Sequence, residues 1–384
     1  MRLKPALIGV LIAVTGGVLL FNRNLQDAPL SQEVVPYDFE VYLKARDHVA
    51  LGEDPYRLGL TESGYKYSPA VLVPLMLLPD SHSYAWVTGK FFYVLMWLGA
   101  LLIGTHLLGW SSVWRLGLGI LLSWRGAIEA LSIGQADFVI LFGGVLAAFL
   151  LLRRPLLAGL LLGLFAAVKL PWGLLCLPFI FFTYQKNRKA LKLLLSGMII
   201  SVFGWLIALP VVVFGGTRTL TMNEAWFQVL RAQSRDLFFL ETNQSIWVTV
   251  LRGVGETGVL AGLAKAAMAV LGALVIRSLL NISVSKRSPN DSLAWITPWF
   301  LMMQLLNPLG WRWGSLLVVG APFAMENPAW IHARYFRWAL YFMLGLLFFM
   351  QSDGTMTALG IQSAPYLRNH GAISLYWVVL LALC

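Results

Sequence analysis

Asp38 and Glu40 stand out as side chains that could accept a proton. Nine of the chain's 18 acidic residues fall between Asp27 and Asp80, so this polar insert is where charged chemistry can happen. The two carboxylates are two residues apart and share a side only in an extended segment; in a helix they diverge by about 200°. The spacing of Asp38, Tyr42, Ala45, Arg46 and Val49 predicts a helix starting near Pro36, with Asp38 in its first turn. The helix dipole favours a carboxylate there and keeps it ionised, able to take a proton. The same position also suits a simple helix cap, and local sequence leaves both roles open.

Any negative charge that develops needs a cation, and the candidates are Arg125, Lys169, Arg231, Arg235 and Arg312. Ionisable groups inside apolar segments are costly and usually face a polar cavity, which favours Arg125, Lys169 and Arg312 as functional. Each has a plainer role as well. Arg125 can pair with Glu129 one helical turn on, Lys169 can snorkel from a helix end, and Arg312 can anchor between Trp311 and Trp313. Arg231 and Arg235 can form a solvated face of a helix over 221–237. Gln135 and Asp137 line a polar vestibule or cap a helix. Asn243-Gln244-Ser245 starts a helix, and its match to a glycosylation sequon is taken as chance. The five histidines, His48, His82, His106, His332 and His370, have no ligand spacing. Asp38 with Glu40 could hold a divalent ion, and no cofactor is expected.

The elements that must position these residues follow from composition. The chain has 384 residues, 58% of them hydrophobic and only 12% charged, with a mean hydropathy of +0.72. Such a chain needs lipid around most of its surface. The net charge of +11 sits mainly in short clusters between apolar runs, so it reads as membrane topology and not as nucleic-acid binding. Cys176 and Cys384 form no spaced pair, which excludes a zinc site and a disulfide framework.

Arg2 and Lys4 precede an apolar run from Pro5 to Phe21 that no cleavage site follows, so it reads as a retained first span with a cytoplasmic N-terminus. The insert 22–80 then lies on the far side. Further spans are expected at about 84–108, 116–133 and 134–152, with W-S-S-V-W-R a turn between the first two of these. The 29-residue run Leu156–Tyr184 holds Lys169-Leu170-Pro171. Two helices broken there keep Arg153-Arg154 and the basic run after Tyr184 on one side. Spans at about 190–214, 259–280, 292–306, 310–325, 338–350 and 372–384 bring the count to 12, with both termini cytoplasmic. The far side then holds 22–80, 215–246 and 351–371. In the first insert, L-G-E-D-P-Y predicts a glycine helix stop and a turn at Asp54-Pro55. The Pro-punctuated run after it is too short to span, and Tyr65, Tyr67 and Tyr84 suit an interface depth. The chain has no internal repeat, low-complexity tract or soluble domain.

The order Y-D-F-E-V-Y, A-L-G-E-D-P-Y, Y-K-Y-S-P and P-L-M-L-L-P, then I-G-Q-A-D-F-V-I-L-F, A-G-L-L-L-G-L-F-A-A-V-K-L-P-W, E-T-N-Q-S-I and L-L-N-P-L-G-W, resembles a known family. It is similar to the polyprenol-phosphate-mannose-dependent mannosyltransferases of glycosyltransferase family 87. The resemblance implies an all-α integral membrane protein of GT-C fold, one multi-span domain over 1–384 with a catalytic extracytoplasmic loop at 22–83 and a second loop at 215–246. It implies Asp38 as catalytic base, at the start of the first extracytoplasmic loop, working without a metal ion. It also puts Glu40, Tyr42, Tyr67, Arg125, Gln135, Lys169, Arg231, Arg235, Asn307 and Arg312 forward as substrate-binding positions. One departure is Arg312 in N-P-L-G-W-R-W, where the family pattern leads one to expect histidine; sugar or lipid preference can differ accordingly.

A lipid-linked sugar phosphate already carries an activated anomeric carbon and a leaving group. The enzyme need only deprotonate an acceptor hydroxyl and stabilise the departing charge. By analogy with inverting glycosidases, one base opposite the leaving group gives inversion. The expected partners are a polyprenyl-phosphate-sugar donor, a glycan or glycolipid acceptor and membrane lipids, with no nucleic acid. The expected location is the plasma (bacterial inner) membrane, and the expected sugar is mannose. Two other readings stand beside this one: a transporter or flippase of lipid-linked glycans, and a polyprenyl-diphosphate transferase resembling the O-antigen ligases. The first usually shows paired halves, which this chain lacks.

Overall fold

A computed structural model describes residues 3–22, 35–56, 64–105, 110–168, 170–236, 250–251, 257–285 and 292–306, with 317 and 378 singly. Among the described residues there is no strand. The helices are α1 (Leu3–Asn22), α2 (Tyr37–Ala50), α3 (Leu72–Leu75), α4 (His82–Thr105), α5 (Trp110–Ile133), α6 (Asp137–Leu151), α7 (Pro155–Val168), α8 (Cys176–Lys186), α9 (Arg188–Phe203), α10 (Leu209–Phe214), α11 (Gly216–Asp236), α12 (Val259–Ser285) and α13 (Ser292–Leu306). Among the described residues, four stretches are long and apolar enough to cross a bilayer: His82–Gly104, Val113–Ile133, Arg188–Phe214 and Val259–Leu280. Shorter apolar helices cover Leu7–Asn22, Asp137–Leu151 and Pro155–Val168. The described residues form a helical membrane protein, because 20 or so apolar residues per helix cannot be left in water.

Several sequence expectations meet their elements here. The break at Lys169-Leu170-Pro171 falls where α7 ends at Val168, and a 3-10 turn over Leu170–Leu175 leads into α8. Pro171 lacks the N–H that a continuing helix requires. Asn187 accepts from the backbone N–H groups of Lys189 and Ala190 and so caps α9. W-S-S-V-W-R is not a turn but the start of α5: no Gly or Pro interrupts Trp110 to Leu116, so nothing stops the helix. The expected spans over 310–325, 338–350 and 372–384 lie outside the described residues.

The chain divides into two compact units. One comprises Val10–Gly104 and Ile128–Leu237. Inside it, α7 and α9 meet along a seam of small residues. A Cβ on Gly159 would strike the carbonyl of Leu194, one on Gly163 the carbonyl of Met198, and one on Gly197 the carbonyl of Leu156. In lipid, where apolar side chains gain little by leaving their surroundings, such close backbone approach is what draws helices together. Gly143 of α6 lies against the ring of Phe165 of α7, and Gly99 of α4 against that of Phe142 of α6. The other unit comprises Met1–Gly9, Thr105–Ala127 and Phe238–Cys384. In it, Leu251 packs with Ala261 and Met268 of α12.

Candidate functional site

The acidic insert is a docked structure built on α2. Pro36, extended at φ −62°, ψ 147°, precedes the helix, and its carbonyl accepts from Glu40 N at 2.8 Å. Proline suits a helix start because the first turn's N–H groups have no intrahelical acceptor. Asp38 and Glu40 both fall in that turn, where the dipole favours negative charge. The helix stops at Gly52, φ +85°, and Glu53 N returns to His48 O at 2.8 Å. Asp54 Oδ1 then accepts from Tyr56 N at 2.9 Å, the turn that Asp-Pro predicted.

One face of α2 is buried: Phe39, Tyr42, Leu43, Ala45, Arg46 and Val49. Phe39 packs edge-on to Trp86 and Tyr93 of α4, with centroids 5.0 and 6.3 Å away. Gly89 leaves room for that ring, since a Cβ there would lie 2.6 Å from its tip. From the other side comes the α5–α6 turn. Gly134, at φ +80°, abuts Phe39, where a Cβ would lie 2.6 Å from Phe39 Cβ and 3.0 Å from its backbone nitrogen. Only glycine meets both demands at once, the left-handed backbone and the close approach. The next residue, Gln135, is buried, and its Nε2 donates to Oδ2 of the half-buried Asp38.

A tyrosine cluster lies beside this contact. Tyr42 Oη donates to Tyr67 Oη at 3.1 Å, Tyr56 Oη to the Tyr67 carbonyl at 2.7 Å, and Tyr65 Oη to the Ser68 carbonyl at 3.2 Å. Burial, then Tyr67 and the charge of Asp38, push the Tyr42 phenol well above its ordinary range; burial does the same to Tyr56 and Tyr65. These hydroxyls therefore stay neutral donors.

The far end of α2 is stapled. The buried Arg46 donates from Nη1 to Pro79 O at 2.8 Å, from Nη2 to Asp80 O at 3.2 Å and from Nε to Asp47 Oδ1 at 2.8 Å. Asp47 Oδ2 also contacts His82 Nε2 at 2.7 Å, at the start of α4. From α11, Arg218 Nη2 donates to the carbonyls of Val49 at 2.8 Å and Glu53 at 3.3 Å, while Trp226 Nε1 donates to Lys66 O at 2.9 Å. With both ends fixed, the position of Asp38 is set by the fold and not by a mobile loop.

Of the candidate residues, Asp38, Tyr42, Tyr67 and Gln135 come together here. Glu40 turns outward and pairs with Lys44 at 2.8 Å. Arg231 is exposed on α11, which also carries Arg235. Arg125 is half-buried on α5 and belongs to the other unit. Lys169, Asn307 and Arg312 lie outside the described residues. Asp137 opens α6, buried and in its first turn. Among the described residues, no group of three or more His, Cys, Asp or Glu could hold a metal ion. The sequence reading gave no role of their own to Arg46, Arg218 and Trp226, which staple the insert, or to Lys90, which is fully buried in α4. Lys90 had a signal: it is a basic residue within an apolar run, as Arg125 and Lys169 are.

No curated protein matches the chain closely enough to stand as a relative. Residues 67–308, well over half of the chain, match the family model for glycosyltransferase family 87. The match takes in Tyr67 and Gln135 and begins after Asp38. A membrane-embedded helical chain with a buried polar junction on its acidic insert, matched over this length, belongs to glycosyltransferase family 87.

Proposed function

We infer that this chain, as a member of its family, is a glycosyltransferase with a sugar donor and an acceptor as substrates and lipid around it. We propose that the donor is a polyprenyl-phosphate hexose, with mannose the sugar, and that the acceptor is a hydroxyl of a glycan or glycolipid on the extracytoplasmic face of the plasma membrane. Asp38 takes the proton of that hydroxyl as its oxygen bonds to the anomeric carbon. The bond from that carbon to the phosphate oxygen breaks on the opposite face, the phosphate leaves with the electron pair, and the configuration inverts. The observation that carries this reading is the Gln135 amide on the Asp38 carboxylate. It ties the acidic insert to the α5–α6 turn and holds a charged oxygen acceptor in a fixed orientation. Arg125, Lys169, Arg231, Arg235 and Arg312 remain the candidates for meeting the phosphate, with Asn307 beside them. The region 22–83 is the catalytic loop and 215–246 the second extracytoplasmic loop of a single domain.

Family membership favours the transferase over the transporter. The test is transfer of labelled mannose from polyprenyl-phosphate-mannose to a glycan or glycolipid acceptor by the purified protein in detergent, with EDTA in a parallel arm and the product's anomeric configuration determined. Label in an inverted product that survives EDTA supports the reading. A retained configuration, or no transfer despite bound donor, overturns it.

A further inference from the structure

Residues 69–79 read P-A-V-L-V-P-L-M-L-L-P, without one charged or polar side chain, inside an insert otherwise rich in acids. The run is too short for the roughly 20 residues that a crossing needs. Its side chains divide between two surroundings. Leu72 and Leu75 of α3 are buried, whereas Pro74 and Met76 are exposed and Leu77 is 85% exposed.

Backbone chemistry fits the exposed part to lipid. In hydrocarbon each N–H needs an acceptor within the protein, because no water is there to serve. Val71 N donates to Ser68 O at 3.1 Å, Met76 N to Leu72 O at 3.0 Å, Leu77 N to Pro74 O at 3.2 Å and Leu78 N to Leu75 O at 3.1 Å. Pro74 and Pro79 carry no N–H at all. Where the run ends, Arg46 takes the carbonyls of Pro79 and Asp80.

The neighbours set the depth. α3 and the 3-10 turn Pro69–Val71 before it pack against α10, which forms the last turns of the span Arg188–Phe214. Few residues of that span are buried, and Val212 near its end is 83% exposed, so lipid surrounds it. The span closes at Gly215, φ +85°, and polar α11 follows. α3 therefore sits level with the last apolar turns of a lipid-facing helix.

We infer that Pro74, Met76 and Leu77 form a lipid-binding surface, seated among the acyl chains of the leaflet at the Gly215 end of the span. α2 packs on α3, so this surface seats the helix that carries Asp38 on the membrane. The inference stands whether or not Asp38 is the base.

The test places single cysteines, Leu77→Cys and Met76→Cys, in a Cys384→Ser background, Cys176 being buried. Each is labelled with a nitrobenzoxadiazole dye and reconstituted at one copy per nanodisc, in phosphatidylcholine with or without brominated chains. Val212→Cys is the lipid reference and the exposed Lys44→Cys the water reference. Leu77→Cys and Met76→Cys should match the blue-shifted emission of Val212→Cys and lose a comparable fraction of it to brominated lipid, while Lys44→Cys is unchanged. Water-like, unquenched emission at 76 and 77 overturns the inference. So does blue-shifted emission that brominated lipid leaves intact, which puts a second protein surface over the face. Since the dye is itself apolar, the unlabelled thiols are also reacted with a membrane-impermeant maleimide. Leu77→Cys should react roughly tenfold or more slowly than Lys44→Cys, because apolar surroundings suppress the reactive thiolate. Equal rates overturn the inference.

Discussion

Gln135 donates its side-chain amide to the carboxylate of Asp38, 97 residues earlier in the chain. The contact joins the first turn of α2 to the turn between α5 and α6, two segments that the expected topology places on the same side of the membrane. A hydrogen bond to a charged group contributes about 1.5–3 kcal/mol, and about 1.4 kcal/mol is tenfold in rate. Removing the amide should therefore cost roughly 10- to 100-fold in kcat.

Gln135→Ala is the corresponding variant. Its KM for donor should stay near wild type, because the lost bond orients the base and does not hold the lipid. Gln135→Glu should fall further, since it sets a carboxylate against Asp38. Steady-state transfer assays on both proteins check this, and a large rise in KM with kcat unchanged would instead make Gln135 a substrate contact.

Gly134 decides whether that contact can form. At φ +80° and pressed on Phe39, it tolerates no side chain without moving the start of α2. Gly134→Ala should lower transfer at least as far as Gln135→Ala does and cost about 1–2 kcal/mol of stability from the left-handed backbone alone. Comparing activity with thermal unfolding of the same detergent-solubilised protein measures both effects.

Arg46 should matter to the fold and not to the chemistry. Its guanidinium is buried and spread over two carbonyls and a carboxylate, so Arg46→Met leaves acceptors without donors. The expected loss is roughly 3 kcal/mol, read as a lower unfolding midpoint, with transfer per folded molecule largely kept. Arg46→Lys should rescue little, because an ammonium cannot reproduce the planar fork.

Tyr42 sets a pH dependence whose sign can be worked out. Its phenol is pushed up in the folded protein by burial, Tyr67 and Asp38, so the unfolded chain releases its proton first. Stability is therefore fully present below the ordinary tyrosine value of about 10 and falls as pH rises through and beyond it. Tyr42→Phe should flatten that fall while losing the bond to Tyr67. Unfolding midpoints between about pH 8 and 11 for the two proteins give the comparison.

Much of this arrangement was legible locally. The proline start of α2, the glycine stop at Gly52, the Asp54 turn and the break before Pro171 are each set by backbone chemistry over a few residues, and each lies where the sequence put it. The bounds of α13 match the expected 292–306. What local patterns could not carry is who meets whom. Gln135 read equally as vestibule or cap because its partner lies 97 residues away. Arg46 looked like one more polar position on a helix until Pro79 and Asp80 met it. Lys90 carried the signal of a basic residue within an apolar run, but a single charge hardly lowers the hydropathy of a 24-residue helix, so the run reads as a plain span.

The most direct measurement is single-turnover transfer from polyprenyl-phosphate-mannose by wild type and Asp38→Asn, with donor binding measured on the same samples. If Asp38 is the base, Asp38→Asn binds the donor as wild type does and transfers at least about 100-fold more slowly. Transfer within a few-fold of wild type by a folded, donor-bound Asp38→Asn protein would contradict that role.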